Sequence, residues 1–354
     1  MRSQIALGSC CRYFGCHRVD WRLAEAKKYL HRAGHALRLT YGALGIMMTS
    51  DSDLALMEEV HMALEQPLRS MLFVPGNKPH MLNKARTSTA DAVILDLEDG
   101  VPPAEKEAAR AAVRQSLEQG GFGPQVILRI NGFPTGLGED DLRAAFGSHV
   151  DAVCMPKAEA VSDVLRLAPL LTELEHEHGL EVASVDMLLM IETARGLLHA
   201  YEMASVCWRV RGLCLGGEDL ARDLGATRTR EGQELLYARS QLVLAARAAS
   251  ISAIDTIWTN LDDAQGLEAE AHRMRQLGYS GKLIIHPDQV EPVHRGFAPT
   301  EEEVSYAQRV IQAFRDASLR GNGVIVLDGQ MVDAPVVARA RETLALAGVT
   351  APDS

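Results

Sequence analysis

No stretch of this chain approaches the roughly 20 consecutive apolar residues that a membrane-crossing helix needs, so no span and no membrane partner are expected. The excess of Lys and Arg that would make a nucleic-acid-binding face is also missing, because the formal net charge is -11. An anionic small molecule is not excluded by that balance, since a local cluster of Lys and Arg can hold phosphates inside an acidic protein. Six cysteines in 354 residues are too few for a disulfide framework. Cys154, Cys207 and Cys214 sit in apolar runs and read as small core residues, buried thiols of a reducing compartment. No secretory apolar segment, internal repeat or low-complexity tract is visible, and a cytoplasmic protein is expected. What is present is ordinary for a globular chain: 47% hydrophobic and 23% charged residues, enough for one large domain plus an appendage.

Residues 1–66 read as an N-terminal extension. Within the first 46, Lys and Arg greatly outnumber the two acids Asp20 and Glu25, and Cys10, Cys11 and Cys16 cluster beside His17. Four readings compete there: translation from an upstream start with Met47 or Met48 as the true start, an Arg-rich transit peptide that would direct the protein to mitochondria, a Cys/His metal site, or an ordered helix.

From about residue 68 short β-rich runs alternate with helical stretches, the pattern of a parallel sheet with helices outside. The runs are Ser70–Val74, Ala92–Leu97, Val126–Ile130, Ala152–Met155, Met187–Ile191, Gly212–Leu215, Ala253–Ile257 and Leu283–Ile285. They are almost continuously apolar, as strands buried on both faces must be. Helices are expected at Ala104–Leu117 after a Pro pair, at Ser162–Glu177 with Ser162 as cap, at Gln233–Ser250, and at Asp263–Leu277 ending on Gly278. Eight strand–helix units predict a closed (β/α)8 TIM barrel over residues 67–297. A doubly wound open sheet is the runner-up, weakened by the lack of a glycine-rich dinucleotide fingerprint after the first strand. Residues 298–347 break the rhythm: a helix capped by Thr300, a short strand Val324–Leu327, a turn at Asp328–Gly329 and a last helix from Ala334. They predict a helix–strand–helix appendage.

In a TIM barrel the reacting groups stand at the C-terminal ends of strands. Here nearly every strand end is polar: Asn77, the run Asp96-Leu97-Glu98-Asp99, Arg129 with Asn131, Lys157 with Glu159, Glu192 with Thr193, Glu218 with Asp219, and His286. One charged strand end means only that the strand has reached solvent. A whole rim of them is different. Converging carboxylates raise one another's pKa unless a cation sits among them, and magnesium takes one or two protein carboxylates together with water and substrate oxygens. Glu192 and Asp219 are the candidate metal ligands, with helix capping as the competing explanation for each. Asp96, Glu98 and Asp99 are either acceptors that orient metal-bound water or partners of Lys106 and Arg110. Arg129 needs an anionic partner if buried: a substrate carboxylate or developing enolate, or else Asp96 or Glu98.

The runs Arg69-Ser-Met-Leu-Phe-Val-Pro-Gly-Asn, Ala90-Asp-Ala-Val-Ile-Leu-Asp-Leu-Glu-Asp-Gly-Val and Leu128-Arg-Ile-Asn resemble the citrate lyase β-subunit-like family of the HpcH/HpaI aldolase superfamily. So do Met155-Pro-Lys-Ala-Glu, Ile191-Glu-Thr-Ala-Arg-Gly, Gly216-Gly-Glu-Asp-Leu, Ile285-His-Pro and Gly329-Gln-Met-Val-Asp-Ala-Pro. The resemblance spans about residues 67–347. It implies magnesium held by Glu192 and Asp219, Arg129 on the substrate, and CoA contacts from Phe73, His80, Lys84, Ile285 and His286. It also implies that Asp333 is the catalytic acid/base, reaching a neighbouring subunit of a homotrimer or larger assembly. Some relatives carry Lys at position 80. Glu192-Thr193 and His286-Pro287, where a citrate lyase subunit tends to show Glu-Ser and Asn-Pro, turn the look toward citramalyl-CoA and malyl-CoA lyases.

The expected reaction is retro-Claisen cleavage of citramalyl-CoA or malyl-CoA to acetyl-CoA plus pyruvate or glyoxylate. The metal would lower the cost of the alkoxide, Arg129 would stabilise the thioester enolate, and Asp333 would protonate it. Alternatives are malyl-CoA hydrolysis, the citrate lyase reaction, a non-catalytic acyl-CoA-binding subunit, and an aldolase of the pyruvate type acting without CoA.

Overall fold

A computed structural model of the protein describes residues 68–319 and 323–349; the expectations for residues 1–66, including the Cys10, Cys11, Cys16 and His17 cluster, lie outside them. Eight parallel strands, β1 (Ser70–Pro75), β2 (Ala92–Asp96), β3 (Gln125–Arg129), β4 (Ala152–Met155), β5 (Asp186–Ile191), β6 (Val210–Leu215), β7 (Ser252–Asp255) and β8 (Gly281–Ile284), follow one another in chain order and close by pairing β8 with β1. The fold is a (β/α)8 TIM barrel. Each expected strand is present, with ends shifted by a residue or two.

Helices α1 (Pro79–Ala85), α2 (Lys106–Gln119), α3 (Gly138–Ala145), α4 (Val161–Glu177), α5 (Ala194–Leu198), α6 (Ala200–Ser205), α7 (Gly217–Asp223), α8 (Leu236–Ala248), α9 (Ala264–Leu277) and α10 (Val290–Phe297) accompany the strands. The interior follows from the two-residue period of a strand. Met71, Ile94, Ile127, Cys154, Met190, Cys214, Ile254 and Leu283 meet inside the barrel. Their alternates Leu72, Val93, Leu95, Leu128, Val153, Leu189, Leu213 and Ile284 pack outward with the helices. Two residues beyond the inner layer stand Phe73, Asp96, Arg129, Glu192, Gly216, Thr256 and Ile285, so the alternation itself aims these groups into the mouth.

Local signals mostly hold. Asp263 caps α9 by accepting from the Gly266 N–H, and Gly278 ends the helix at φ 111°, the left-handed conformation that favours glycine. Ser162 does not cap α4; it lies inside the helix, whose first turn is held by Asp163 accepting from the Glu159 and Ala160 N–H groups. Cys154 and Cys214 are buried, whereas Cys207 is only half-buried.

After the barrel, α11 (Glu301–Ser318) starts on a reciprocal cap: Thr300 Oγ1 accepts from Glu303 N and Glu303 Oε2 from Thr300 N. Two strands follow, not one. β9 (Ile325–Leu327) pairs antiparallel with β10 (Gln330–Val332) around Asp328-Gly329, and α12 (Ala334–Leu346) closes the chain's described part. Val310, Ile311, Val332, Val337 and Leu344 form a small core of their own there. Among the described residues no helix is long and apolar enough to cross a membrane.

Candidate active site

A cavity of about 420 Å³ opens at the C-terminal end of the barrel, lined by Phe73, Asp96, Asp99, Arg129, Met190, Glu192, Leu215, Gly216, Glu218, Asp219, Thr256 and Ile285 among others. Arg129 is its base. Its guanidinium forks onto Asp96, Nε to Oδ1 at 2.6 Å and Nη2 to Oδ2 at 2.7 Å, while Nη1 lies 3.0 Å from Glu98 Oε2. The Phe73 ring stacks under it, 4.6 Å from the guanidinium carbon. Asp96 is further fixed by the Glu98 and Gly100 N–H groups. Burial would raise the Asp96 pKa, but Arg129 outweighs it and the carboxyl is held below its ordinary value. The buried arginine thus already has carboxylate partners before any substrate binds, and it still faces the cavity.

Glu98 ends up with Arg129 on one oxygen and Lys157 Nζ on the other, at 2.6 Å. Burial dominates, and its pKa lies above the ordinary value despite both cations. The expected partners are corrected here. Arg110 pairs with Asp141. Lys106 donates to the Leu97 and Glu98 carbonyls and to Asn131 Oδ1 rather than to the acidic side chains.

Glu192 follows β5 and is 2% exposed. Its Oε2 accepts the Lys157 backbone N–H at 2.8 Å. Burial, assisted by the Glu98 carboxylate, pushes its pKa to about 7. It is not a helix cap: Thr193 caps α5, accepting from Gly196 N. Asp219 lies in the first turn of α7 and is not its cap either; Arg222 Nη2 sits 2.7 Å from it. The glycine pair before it has a steric purpose. A Cβ at Gly216 would stand 2.6 Å from Glu192 Oε1, and one at Gly217 would stand 2.7 Å from Thr256 Oγ1, which accepts the Gly217 N–H. Only glycine lets α7 come this close to Glu192 and the end of β7.

These donors suit a hard divalent ion. Two carboxylates from adjacent strand ends, one buried without a cationic side chain bonded to it, leave positions for water and substrate oxygens. Among the described residues no group of three or more His, Cys, Asp or Glu side chains converges into a ready cage. Cys154 is no nucleophile: contact with Cys214 and burial raise its pKa well above the ordinary value.

Of the residues singled out from sequence, Phe73, Arg129, Glu192, Asp219 and Ile285 line this one cavity, and His80, Lys84, His286 and Asp333 do not. His80 and Lys84 are exposed on α1. His286 is exposed, its Nδ1 accepting from Asp288 N. Asp333 caps α12 by accepting from Val336 N. Two contributors carried no assigned role: Thr256, which falls inside the expected run Ala253–Ile257 and stands just past β7, and Lys157, named from sequence only as a polar strand end.

Residues 69–287 match the pattern of the HpcH/HpaI aldolase/citrate lyase proteins. The chain belongs to that family. Its relatives include the citrate lyase subunit beta of Leuconostoc mesenteroides subsp. cremoris, 42% identical over 80% of this chain and 94% of that protein. A (3S)-malyl-CoA thioesterase of Cereibacter sphaeroides is 37% identical over 79% of this chain and 95% of that protein. Among solved structures, protein CitE from Mycobacterium tuberculosis in complex with magnesium, acetoacetate and coenzyme A is similar with a TM-score of 0.68 at 34% identity, covering 79% of this chain and 98% of that one. The family thus holds both a lyase subunit and a thioesterase near this sequence.

Proposed function

We propose that this protein is a magnesium-dependent acyl-CoA carbon–carbon lyase, cleaving citramalyl-CoA or malyl-CoA to acetyl-CoA plus pyruvate or glyoxylate. The observation that carries the reading is the meeting of Glu192, Asp219 and Arg129 in one cavity. The CitE structure with magnesium, acetoacetate and coenzyme A supports the ligand class.

Glu192 and Asp219 would hold the magnesium, which supplies Lewis-acid polarisation of substrate oxygens. Arg129, immobilised by Asp96 and stacked on Phe73, presents its positive charge to the thioester oxygen as the acetyl enolate develops. A group so fixed needs little reorganisation when that charge appears. The carbon–carbon bond breaks with its electrons passing to the enolate; the substrate hydroxyl loses a proton and the acetyl carbon gains one. Asp333 of a neighbouring copy is the proposed proton donor. It does not line the cavity of its own chain, and the exposed Val326 and Met331 on the preceding hairpin offer an apolar face for such an approach in a homotrimer or larger assembly. His80 and Lys84, one turn apart on α1, are proposed to meet the CoA phosphates, with Ile285 and His286 on the opposite side of the barrel closure.

Hydrolysis is the second reading, favoured by the malyl-CoA thioesterase relative. The test is a panel of malyl-CoA, citramalyl-CoA and citryl-CoA, assayed with magnesium and with chelator for acetyl-CoA, oxo acid and free thiol. Magnesium-dependent acetyl-CoA with pyruvate or glyoxylate is expected. Free thiol without acetyl-CoA makes the protein a thioesterase, a citryl-only response assigns the citrate lyase reaction, and activity indifferent to chelator removes the metal.

A further inference from the structure

We propose that Lys157 is the positioning residue of this site: its backbone N–H holds Glu192 while its ammonium holds Glu98 against Arg129. The inference rests on the roles just given to Glu192 and Arg129 and deepens them.

The backbone is the first observation. Lys157 has φ 51°, in the left-handed region that a residue with a Cβ enters at a cost. Glycine would adopt that conformation freely, so the lysine carries a backbone cost that its side chain must offset. The second observation is what the conformation achieves. It turns the Lys157 N–H onto Glu192 Oε2 at 2.8 Å while the following N–H, of Ala158, donates to the Met190 carbonyl of the same strand at 3.1 Å. The end of β4 is thereby bonded to β5 and to the carboxylate just past it. The third is the side chain, which reaches Glu98 Oε1 at 2.6 Å, with Asp99 at 3.9 Å. Glu98 Oε2 stands 3.0 Å from Arg129 Nη1. Lys157 and Glu98 therefore link the guanidinium to the proposed metal ligand through three short contacts.

The consequence is electrostatic. Without the ammonium, Glu98 keeps one oxygen on Arg129 and loses the cation on the other. Its charge then falls more heavily on Arg129, leaving less of the guanidinium's field for a substrate oxygen, and Glu98 is free to rotate within the rim. The N–H to Glu192 is backbone and survives any side-chain change. Loss of the side chain should therefore strike turnover and spare metal binding.

The experiment is a cycle of Lys157→Met, Glu98→Gln and the double variant, with Lys157→Gly and Lys157→Arg alongside. The kcat and KM for the preferred thioester, Mn2+ affinity by direct titration, and Tm would be measured in each. Lys157→Met is expected to lose about 10–100-fold in kcat, the usual cost of removing a residue that orients a reacting group. Its Mn2+ affinity should stay within about threefold of wild type, and Lys157→Arg should recover most of the lost kcat. Lys157→Gly should lose activity equally while melting no lower than wild type, because it relieves the backbone. In the Glu98→Gln background the lysine substitution should cost less than about threefold more. Retention of kcat within about twofold in Lys157→Met, or fully additive losses, overturns the proposal. Glu192→Gln in the same titration keeps the two ideas apart: undiminished Mn2+ binding there defeats the metal reading, while the Lys157–Glu98 coupling is still read from kcat.

Discussion

Two buried carboxylates, Glu192 at the barrel mouth and Asp255 in its wall, differ in one respect that separates a site from a scaffold. Asp255 is 0% exposed and Glu192 is 2% exposed. Burial alone would raise both. Asp255 is nonetheless held below its ordinary pKa, because Lys282 Nζ lies 2.6 Å away and Arg239 forks onto it at 2.9 and 3.0 Å. Glu270 completes that cluster, 2.7 Å from Arg239 and 3.0 Å from Lys282. Two cations meet two carboxylates, and the account is closed. At the mouth Arg129 and Lys157 pair with Asp96 and Glu98, Asp99 stands farther from Lys157, and Glu192 has only a backbone N–H from Lys157, so the carboxylates outnumber the cations and the Glu192 pKa rises. The wall cluster is complete without a ligand; the mouth cluster is complete only with a further positive charge.

Substitution should break this pairing in opposite ways. Glu192→Gln is expected to reduce magnesium-dependent kcat/KM by about 10³-fold, roughly 4 kcal/mol of transition-state stabilisation. The same variant should be more stable than wild type in chelator at pH 8, by ~1–3 kcal/mol, because it deletes a buried charge that costs the metal-free fold. Full activity, or a large drop in metal-free stability, would put Glu192 in the same class as Asp255. Lys282→Met should do the reverse. It leaves Asp255 and Glu270 sharing Arg239 and is expected to cost about 3–5 kcal/mol in denaturant melts while the folded fraction keeps its kcat. A mild variant with damaged turnover would mean the wall cluster supports the site directly.

The smallest effect sharpens the comparison at the opposite end of the barrel. Asp91 accepts from Arg69 and from the Ser70 N–H and lies 3.4 Å from His294 Nε2. Burial would raise its pKa, but His294 and Arg69 together bring it to about 2. A depressed carboxyl contributes stability that is fully present above its unfolded pKa and disappears as pH falls through the folded one. Between about pH 4 and pH 2 the protein should lose about 1–2 kcal/mol from this group, discounted for its partial exposure. Asp91→Asn should flatten that part of the acid-unfolding curve; an unchanged slope would assign the loss elsewhere. Ser70 Oγ contacts the same His294 Nε2 at 2.7 Å. The grouping mimics a hydrolytic triad, but one ring nitrogen serves both neighbours and Ser70 is fully buried, so it reads as structure.

Much of the barrel was legible beforehand because a buried parallel strand is a local fact. Ala92–Leu97 and Met187–Ile191 are apolar runs bounded by polar residues, and nothing distant alters that reading. Arg129 and Glu192 were legible as strand-end polar groups. Their partners were not. Arg129 was weighed between substrate and Asp96 or Glu98, and it takes both carboxylates while still facing the cavity. Glu98 reaches Lys157, 59 positions away, and no spacing rule foretells that. The second appendage strand was missed because Gln330–Val332 is too short and too exposed to carry an alternation.

By itself, then, the amino-acid order determined the eight strands and which polar side chains follow each strand, since these depend on apolar runs, period two and caps within a few residues, whereas the closing of the barrel over an open sheet rests on the pairing of β8 with β1. Tertiary structure decided which carboxylates are neutralised and which one is left wanting a cation. Ion pairing depends on register between strands and on how helices lie against them, and free energies of buried charge change sign with the arrival of a single partner at hydrogen-bonding distance.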